Sequence, residues 1–204
     1  MSGIYFASST DREHAGSLLT RVLMRASFRD ARGVARRGHG HIVVGAVGTV
    51  ARPDDLLAED ERFLVASVGR PPSALLADLH GELGPGLFGE VGCAFIAVDK
   101  RDGAVYLGRD LFGVRPLYAR RHATGWLGGS DAFALAGAPI ELDRDELTMA
   151  LVEEPARPRG SPYRGVEAVL PGALLTLGRA GDRAERQLAA LDPRRRCDLE
   201  FEEA

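Results

Sequence analysis

The sequence predicts a layered α/β protein of the α+β kind, with antiparallel strands and with helices grouped outside them. Three observations predict it. Asp102-Gly103 sits between the apolar runs 93–99 and 104–109, a strong short-range hairpin signal. Further short β-prone runs follow with turns between them, which makes a meander. Longer stretches with apolar residues at helical spacing stand apart from that meander.

The chain has 204 residues, 45% of them hydrophobic and 27% charged, with a formal net charge of −3. This describes one globular domain, or one domain with a short extension, large enough to bury a core without a disulfide or metal staple. Cys93 and Cys197 lie more than a hundred residues apart, which fits neither a disulfide framework nor a paired-cysteine zinc site. A reducing, cytoplasmic setting is expected. No stretch is apolar for the roughly 18 to 20 residues that span a bilayer, and the N-terminus has no basic flank before an apolar signal core. Membrane and nucleic-acid partners are not expected, since the charge is near neutral and no basic face stands out. Lys100 is the only lysine among 26 basic residues, and the arginines are scattered among carboxylates.

Taken in order, Ile4 to Ala7 is a short apolar run expected to form a buried strand. Thr10 and Glu13 have capping-box spacing, and Leu18, Leu19, Val22, Leu23 and Ala26 follow at helical spacing, giving a helix over about 11–29. A glycine-rich stretch around Gly38 and Gly40 leads to a strand over 41–50. Residues 51–62, with Pro53, are expected as loop, and Phe63 to Val68 as strand. Ser73 is a candidate N-cap for a helix that places Leu75, Leu76, Leu79 and Leu83 on one face. The meander then runs through 93–99, 104–109, 116–120 and 125–129. A helix is expected near Asp143, with Leu147, Ala150 and Leu151 turned inward. Val166 to Leu170 and Ala173 to Leu177 flank Pro171-Gly172 as two more strands, and the residues from 188 onward are polar.

Several residues carry chemistry, each with a plain structural alternative. Removal of Met1 would leave Ser2 at the N-terminus, where a serine can act as nucleophile with its own α-amino group as base; serine at position 2 is also common. Gly128-Gly129-Ser130-Asp131 resembles a phosphate-cradling loop but lacks the surrounding strand-loop-helix unit, so a turn with Ser130 as cap is the better reading. His39 and His41 could share one face, yet a third ligand at metal-site spacing is missing, and no metal is expected. In Gly108 to Tyr118 (GRDLFGVRPLY), Gly113 permits a tight turn, Pro116 suits an edge exit, Leu117 and Tyr118 pack inward, and Arg109 and Asp110 could pair to brace the hairpin.

That stretch resembles the R-D-x-x-G-[IV]-[KR]-P-L-Y signature of class II glutamine amidotransferase domains of asparagine synthetase-like proteins. Phe88 to Asp99 upstream, Ser130 to Leu135, Leu142 to Leu151, and Ser161 to Val166 with Leu170-Pro171-Gly172 downstream resemble further family elements in the same order, over most of 86–178. The resemblance implies a four-layer αββα N-terminal nucleophile (Ntn) hydrolase sandwich over 1–187, with 188–204 a linker or the start of a synthetase domain. It also implies where function is lost. Active members carry cysteine where Ser2 stands. Their Arg-Gly-Pro-Asp element is reduced to Arg37-Gly38, their Asn-Gly-Glu loop is replaced around Ser67 and Gly69, and their Gly-Asp-x-Glu segment has no counterpart. One oxyanion donor alone is worth about 2.7 to 4 kcal/mol. The implied function is therefore a non-catalytic domain of, or partner to, an ATP-dependent amide-forming enzyme, as in β-lactam and lasso-peptide macrolactam synthetases. ATP and magnesium would belong to the synthetase and no cofactor to this chain. The alternatives are an Ntn hydrolase using Ser2 and a free ligand-binding or regulatory module; self-association is also expected.

Overall fold

Strands buried on both faces read as continuous apolar runs, and alternate residues then serve different layers. A computed structural model describes residues 2–26, 33–48, 52–81, 83–88, 91–152, 157–179 and 181–190. In chain order the elements are β1 (Gly3–Ser8), α1 (Arg12–Ala26), β2 (Gly33–His39), β3 (Ile42–Gly48), β4 (Leu57–Glu59), β5 (Phe63–Val68), α2 (Pro72–Leu79), β6 (Ala94–Asp99), β7 (Val105–Arg109), β8 (Tyr118–His122), β9 (Gly125–Gly129), α3 (Ala132–Leu135), α4 (Arg144–Leu151), β10 (Val166–Ala168), β11 (Ala173–Leu177) and β12 (Arg183–Gln187).

The strands form two six-stranded sheets, ordered β10-β8-β9-β1-β3-β2 and β12-β11-β7-β6-β5-β4. All of their pairings are antiparallel. Ile4 and Phe6 of β1, Val44 and Ala46 of β3, Leu64 and Ala66 of β5, and Ile96 and Val98 of β6 meet in one core between the sheets. The alternate residues face outward: Tyr5 and Ala7 pack with Leu19, Val22 and Leu23 of α1 and Leu135 of α3, while Phe63, Val65 and Phe95 pack with Leu75 and Leu79 of α2. Each fully buried leucine or phenylalanine contributes about 1.5 to 3 kcal/mol of transfer free energy. The result is helix, sheet, sheet, helix: the four-layer αββα arrangement that the resemblance implied.

Local expectations fail where polar residues decide. The glycine-rich stretch is the polar edge strand β2, the 51–62 loop contains the three-residue edge strand β4, and β12 was not expected at all. Asp11, not Thr10, caps α1, its Oδ1 accepting from the His14 amide at 2.8 Å. The end of that expected helix, 27–29, lies outside the described residues, as do Met1 and Cys197. Pro71 occupies the N-cap of α2, with no side-chain cap bond, so Ser73 does not cap it. Asp131 caps α3 by accepting from the Phe133 amide, and Ser130 does not. Gly128 and Gly129 belong to β9 and form no phosphate loop.

The largest correction is α4. Asp143 caps it as expected, accepting from the Asp145 and Glu146 amides. Its facing is inverted: Glu146 is buried, whereas Ala150 and Leu151 are exposed and Leu147 is only half-buried. Helical periodicity reports that a face exists, not which side finds the core.

Candidate functional site

The start of β1 shares a cavity with residues of both sheets. Gly3 pairs with Val47 of β3, and Tyr5 with Gly129 of β9, so the segments before β1 and after β9 come together. Ser2, half-buried just before β1, opens onto a cavity of about 70 Å³. Gly3 and Tyr5 of β1, Val47 of β3, Val68 of β5 and Ala94 of β6 form its walls, with Ala26 of α1 beside them. Its other polar groups come from two turns: Arg115 beside Pro116, and Ser130 beside Asp131.

Three of these polar groups are held by backbone. Ser130 Oγ accepts from Ile4 N at 2.9 Å and donates to Ile4 O at 3.2 Å, locking β9 to β1. Asp131 Oδ1 accepts from Phe133 N at 2.9 Å. Arg115 Nε donates to Gly92 O at 3.4 Å. Among the described residues no imidazole lines the cavity. A base for the Ser2 hydroxyl would have to be the α-amino group that removal of Met1 exposes.

The other expected site residues lie elsewhere. Ser67 is fully buried and donates to Arg70 O at 2.5 Å. Gly69 has φ +89°, and an added Cβ would fall 1.9 Å from Gly92 O, so only glycine fits there. Both brace Val68, the member of that segment that reaches the cavity; Arg70 then ties the loop to α2 through Asp78 at 2.5 Å. Arg37 and Gly38 are not brought to the cavity. The Arg37 guanidinium lies on edge strand β2 against Asp54 and Glu59, and Gly38 packs against Arg12.

The signature turn beside the cavity is a backbone lock. The expected Arg109–Asp110 ion pair is not what braces it. Arg109 donates from Nε to Arg115 O (2.8 Å), from Nη1 to Val169 O (2.8 Å) and from Nη2 to Gly113 O (2.6 Å). Burial pushes the pKa of this guanidinium down, partly offset by the nearby Tyr118 and Asp110. Asp110 accepts from the amides of Phe112, Val114 and Arg115, at 3.0, 3.4 and 3.5 Å. Gly113 makes the turn with φ +63°. Pro116 is exposed and lies ahead of β8, which is paired on both sides and so is not an edge. Leu117 packs fully inward and Tyr118 half so.

The histidines face different partners. His39 Nε2 lies 2.8 Å from Lys100 O, whereas His41, in the turn before β3, packs on Gly103. Burial, with Arg179 and His39 nearby, holds the His41 pKa below its usual value. Sequence reasoning missed Arg115, Ser130 and Asp131 as cavity residues. The signal for Arg115 was its invitation in the signature itself, a cation following Gly113-Val114 at the mouth of a tight turn.

Comparison with known proteins now adds the family. No curated protein matches the chain. Among solved structures, the Bacillus subtilis glutamine phosphoribosylpyrophosphate amidotransferase complexed with ADP and GMP is similar over 93% of this chain and 49% of its own, at 13% identity and a TM-score of 0.53. A structure described as the allosteric regulatory enzyme of purine biosynthesis is similar over the same shares, at 12% identity and a TM-score of 0.54. The chain thus spans about half the length of these two proteins, and at such identities the likeness is one of fold. No helix among the described residues is long and apolar enough to cross a membrane. The family described as glutamine amidotransferase domain matches residues 75–187, more than half of the sequence, and the chain belongs to that family.

Proposed function

We propose that this amidotransferase-type domain does not hydrolyse glutamine and acts as the non-catalytic half or partner subunit of an asparagine synthetase-like, ATP-dependent amide-forming enzyme in the cytoplasm. The observation that carries the first part is the cavity: a serine stands at the nucleophile position, and Arg37, expected from the resemblance as a remnant of the glutamine pocket, is engaged by Asp54 and Glu59 away from it. Thiolate attack has no thiol there, and the substrate clamp has no guanidinium from that element. The partner would hold ATP and magnesium, and amide formation in peptide macrolactam synthesis fits a domain that supplies no ammonia.

Support for association comes from α4 and its surroundings, where Ile140, Leu142, Leu151 and Val152 are all exposed. Large apolar side chains gathered on a surface mark a partner site. The test of the first part is ammonia release from glutamine by the purified chain, beside Ser2→Ala. No difference between the two is expected, and Ser2→Cys alone should add none; release above the Ser2→Ala control would overturn the reading. Copurification with a coexpressed asparagine synthetase-like protein tests the second part.

A second reading is favoured by one observation, that Ser2 opens onto the cavity. It makes the chain an Ntn hydrolase with Ser2 as nucleophile. N-terminal mass decides whether it can operate, because retained Met1 blocks the α-amine that would serve as base.

A further inference from the structure

The cavity beside Ser2 carries a charge that no carboxylate among the described residues pairs with. Arg115 lines it half-buried, with its Nε on Gly92 O. Among the described residues no carboxylate forms an ion pair with its guanidinium. The neighbouring Arg109 is spent on three carbonyls of its own turn, and Asp131, the carboxylate of the same cavity, is engaged at the start of α3. A guanidinium is a planar fork matched in width to a carboxylate. The apolar walls from Tyr5, Val68 and Ala94 lower the local dielectric, which strengthens that attraction.

Size and surroundings narrow the ligand. A single water needs roughly 10 to 15 Å³, so about 70 Å³ admits a carboxylate and a few adjoining carbons rather than a large head group. Val91, Phe112 and Val114, close in sequence to Gly92 and Arg115, are exposed. Val114 lies over Gly92, whose carbonyl receives Arg115, which puts an apolar side chain near the cation. Asp131 is held at the start of α3 through Oδ1, so Arg115 is the group of this cavity that selects for an anion.

We propose that this cavity binds a monocarboxylate with an apolar tail, either a free acid or the C-terminal carboxylate of a peptide, and that Arg115 anchors it. The proposal rests on the reading that the cavity is not a working glutaminase centre, because a ligand of this kind would occupy the place of glutamine.

The test is calorimetric titration of the full chain with 4-methylpentanoate and its neutral amide, and with acetyl-Gly-Leu and its C-terminal amide. Each acid should bind at least about tenfold more tightly than its amide. Arg115→Gln should lose roughly ten- to hundredfold in acid affinity, the range for a charge-assisted bond, while Arg115→Lys keeps part of it. Tighter binding of the dipeptide acid assigns the ligand to peptide termini, and tighter binding of 4-methylpentanoate to free acids. Equal affinity for acid and amide, unchanged binding by Arg115→Gln, or no binding of either acid at millimolar concentration overturns the proposal. If Arg115→Gln does not fold, the acid and amide pairs on the parent chain decide. Ammonia release from glutamine overturns the functional reading above and is scored separately from these titrations.

Discussion

Asp110 and Glu146 are both buried carboxylates, and the molecule treats them in opposite ways. Asp110, 1% exposed, receives three amides of its own turn, and its neighbour Arg109 satisfies three carbonyls around it. Glu146, 6% exposed, has Arg157 at 3.4 Å as its ion-pair partner, and its Oε1 lacks a hydrogen bond while Leu151 on the same helix stands 84% exposed. A buried polar group pays for its desolvation only when it is paired. The signature turn is therefore satisfied by its own residues, whereas α4, among the described residues, keeps a buried carboxylate oxygen without a hydrogen bond. The most recognisable residues of the sequence thus report the fold, while the exposed face of α4 does not contribute to this chain's core.

Breaking the satisfied side should have the largest effect. Asp110→Ala removes the acceptor for three amides in a buried turn, and losing a charged acceptor of this kind costs on the order of 3 kcal/mol or more. Urea unfolding should show the midpoint falling accordingly. A midpoint within error of the parent would mean that the carboxylate does not organise the turn. Gly113→Val attacks the same lock through the backbone: φ is +63° and the new Cβ would meet Pro171 Cγ at 2.8 Å. The expected cost is about 1 to 3 kcal/mol, read as a lower melting temperature; an unchanged one would refute the strain.

Asp99 sharpens the comparison with a carboxylate satisfied by side chains. Burial pushes its pKa up, but hydrogen bonds from the Arg101 side chain and backbone and from Arg62 outweigh this and hold it at about 2, against an ordinary 3.8. A lowered carboxyl pKa stabilises the folded state above the unfolded value and loses that contribution as pH falls from about 4 through 2. The amount is on the order of 2 kcal/mol. Unfolding measured between pH 5 and pH 2 should therefore be steeper in pH for the parent than for Asp99→Asn, and parallel curves would remove Asp99 from the account.

How much of this was legible in the sequence follows the same physics. The interior strands were, because β5 and β6 are apolar on both faces and no other element explains a run such as Phe63 to Val68. The edges β2, β4 and β12 were not, since a strand with one free side tolerates Arg36, Arg37, Glu59 or Glu185, and such runs look like loop. Caps slipped by one or two residues where two capping residues adjoin, as at Thr10 and Asp11. Ser2 was singled out from its position and the resemblance, and it lines the cavity. Arg115 and Asp131 were not, because they lie more than a hundred residues from Ser2 and only the pairing of β1 with β9 and the approach of the two sheets bring them to it.

The smallest effect on stability should come from the α4 side, together with the largest effect on association. Leu151→Glu, combined with Val152→Glu, places charge where two apolar side chains already meet water. Exposed substitutions of this kind change stability by no more than about 0.5 kcal/mol, so the melting temperature should hold. If α4 is inverted because something covers it, the parent chain self-associates or copurifies with an asparagine synthetase-like partner, and the doubly charged variant does so less. Sedimentation velocity of the two proteins, alone and with that partner, reads this directly. A parent that is a monodisperse monomer and ignores the partner would leave the exposed leucine without a role in assembly, and would favour a domain that works by itself. A variant that loses stability as well would instead mean that Leu151 packs within this chain, and the contrast with Asp110 would fall.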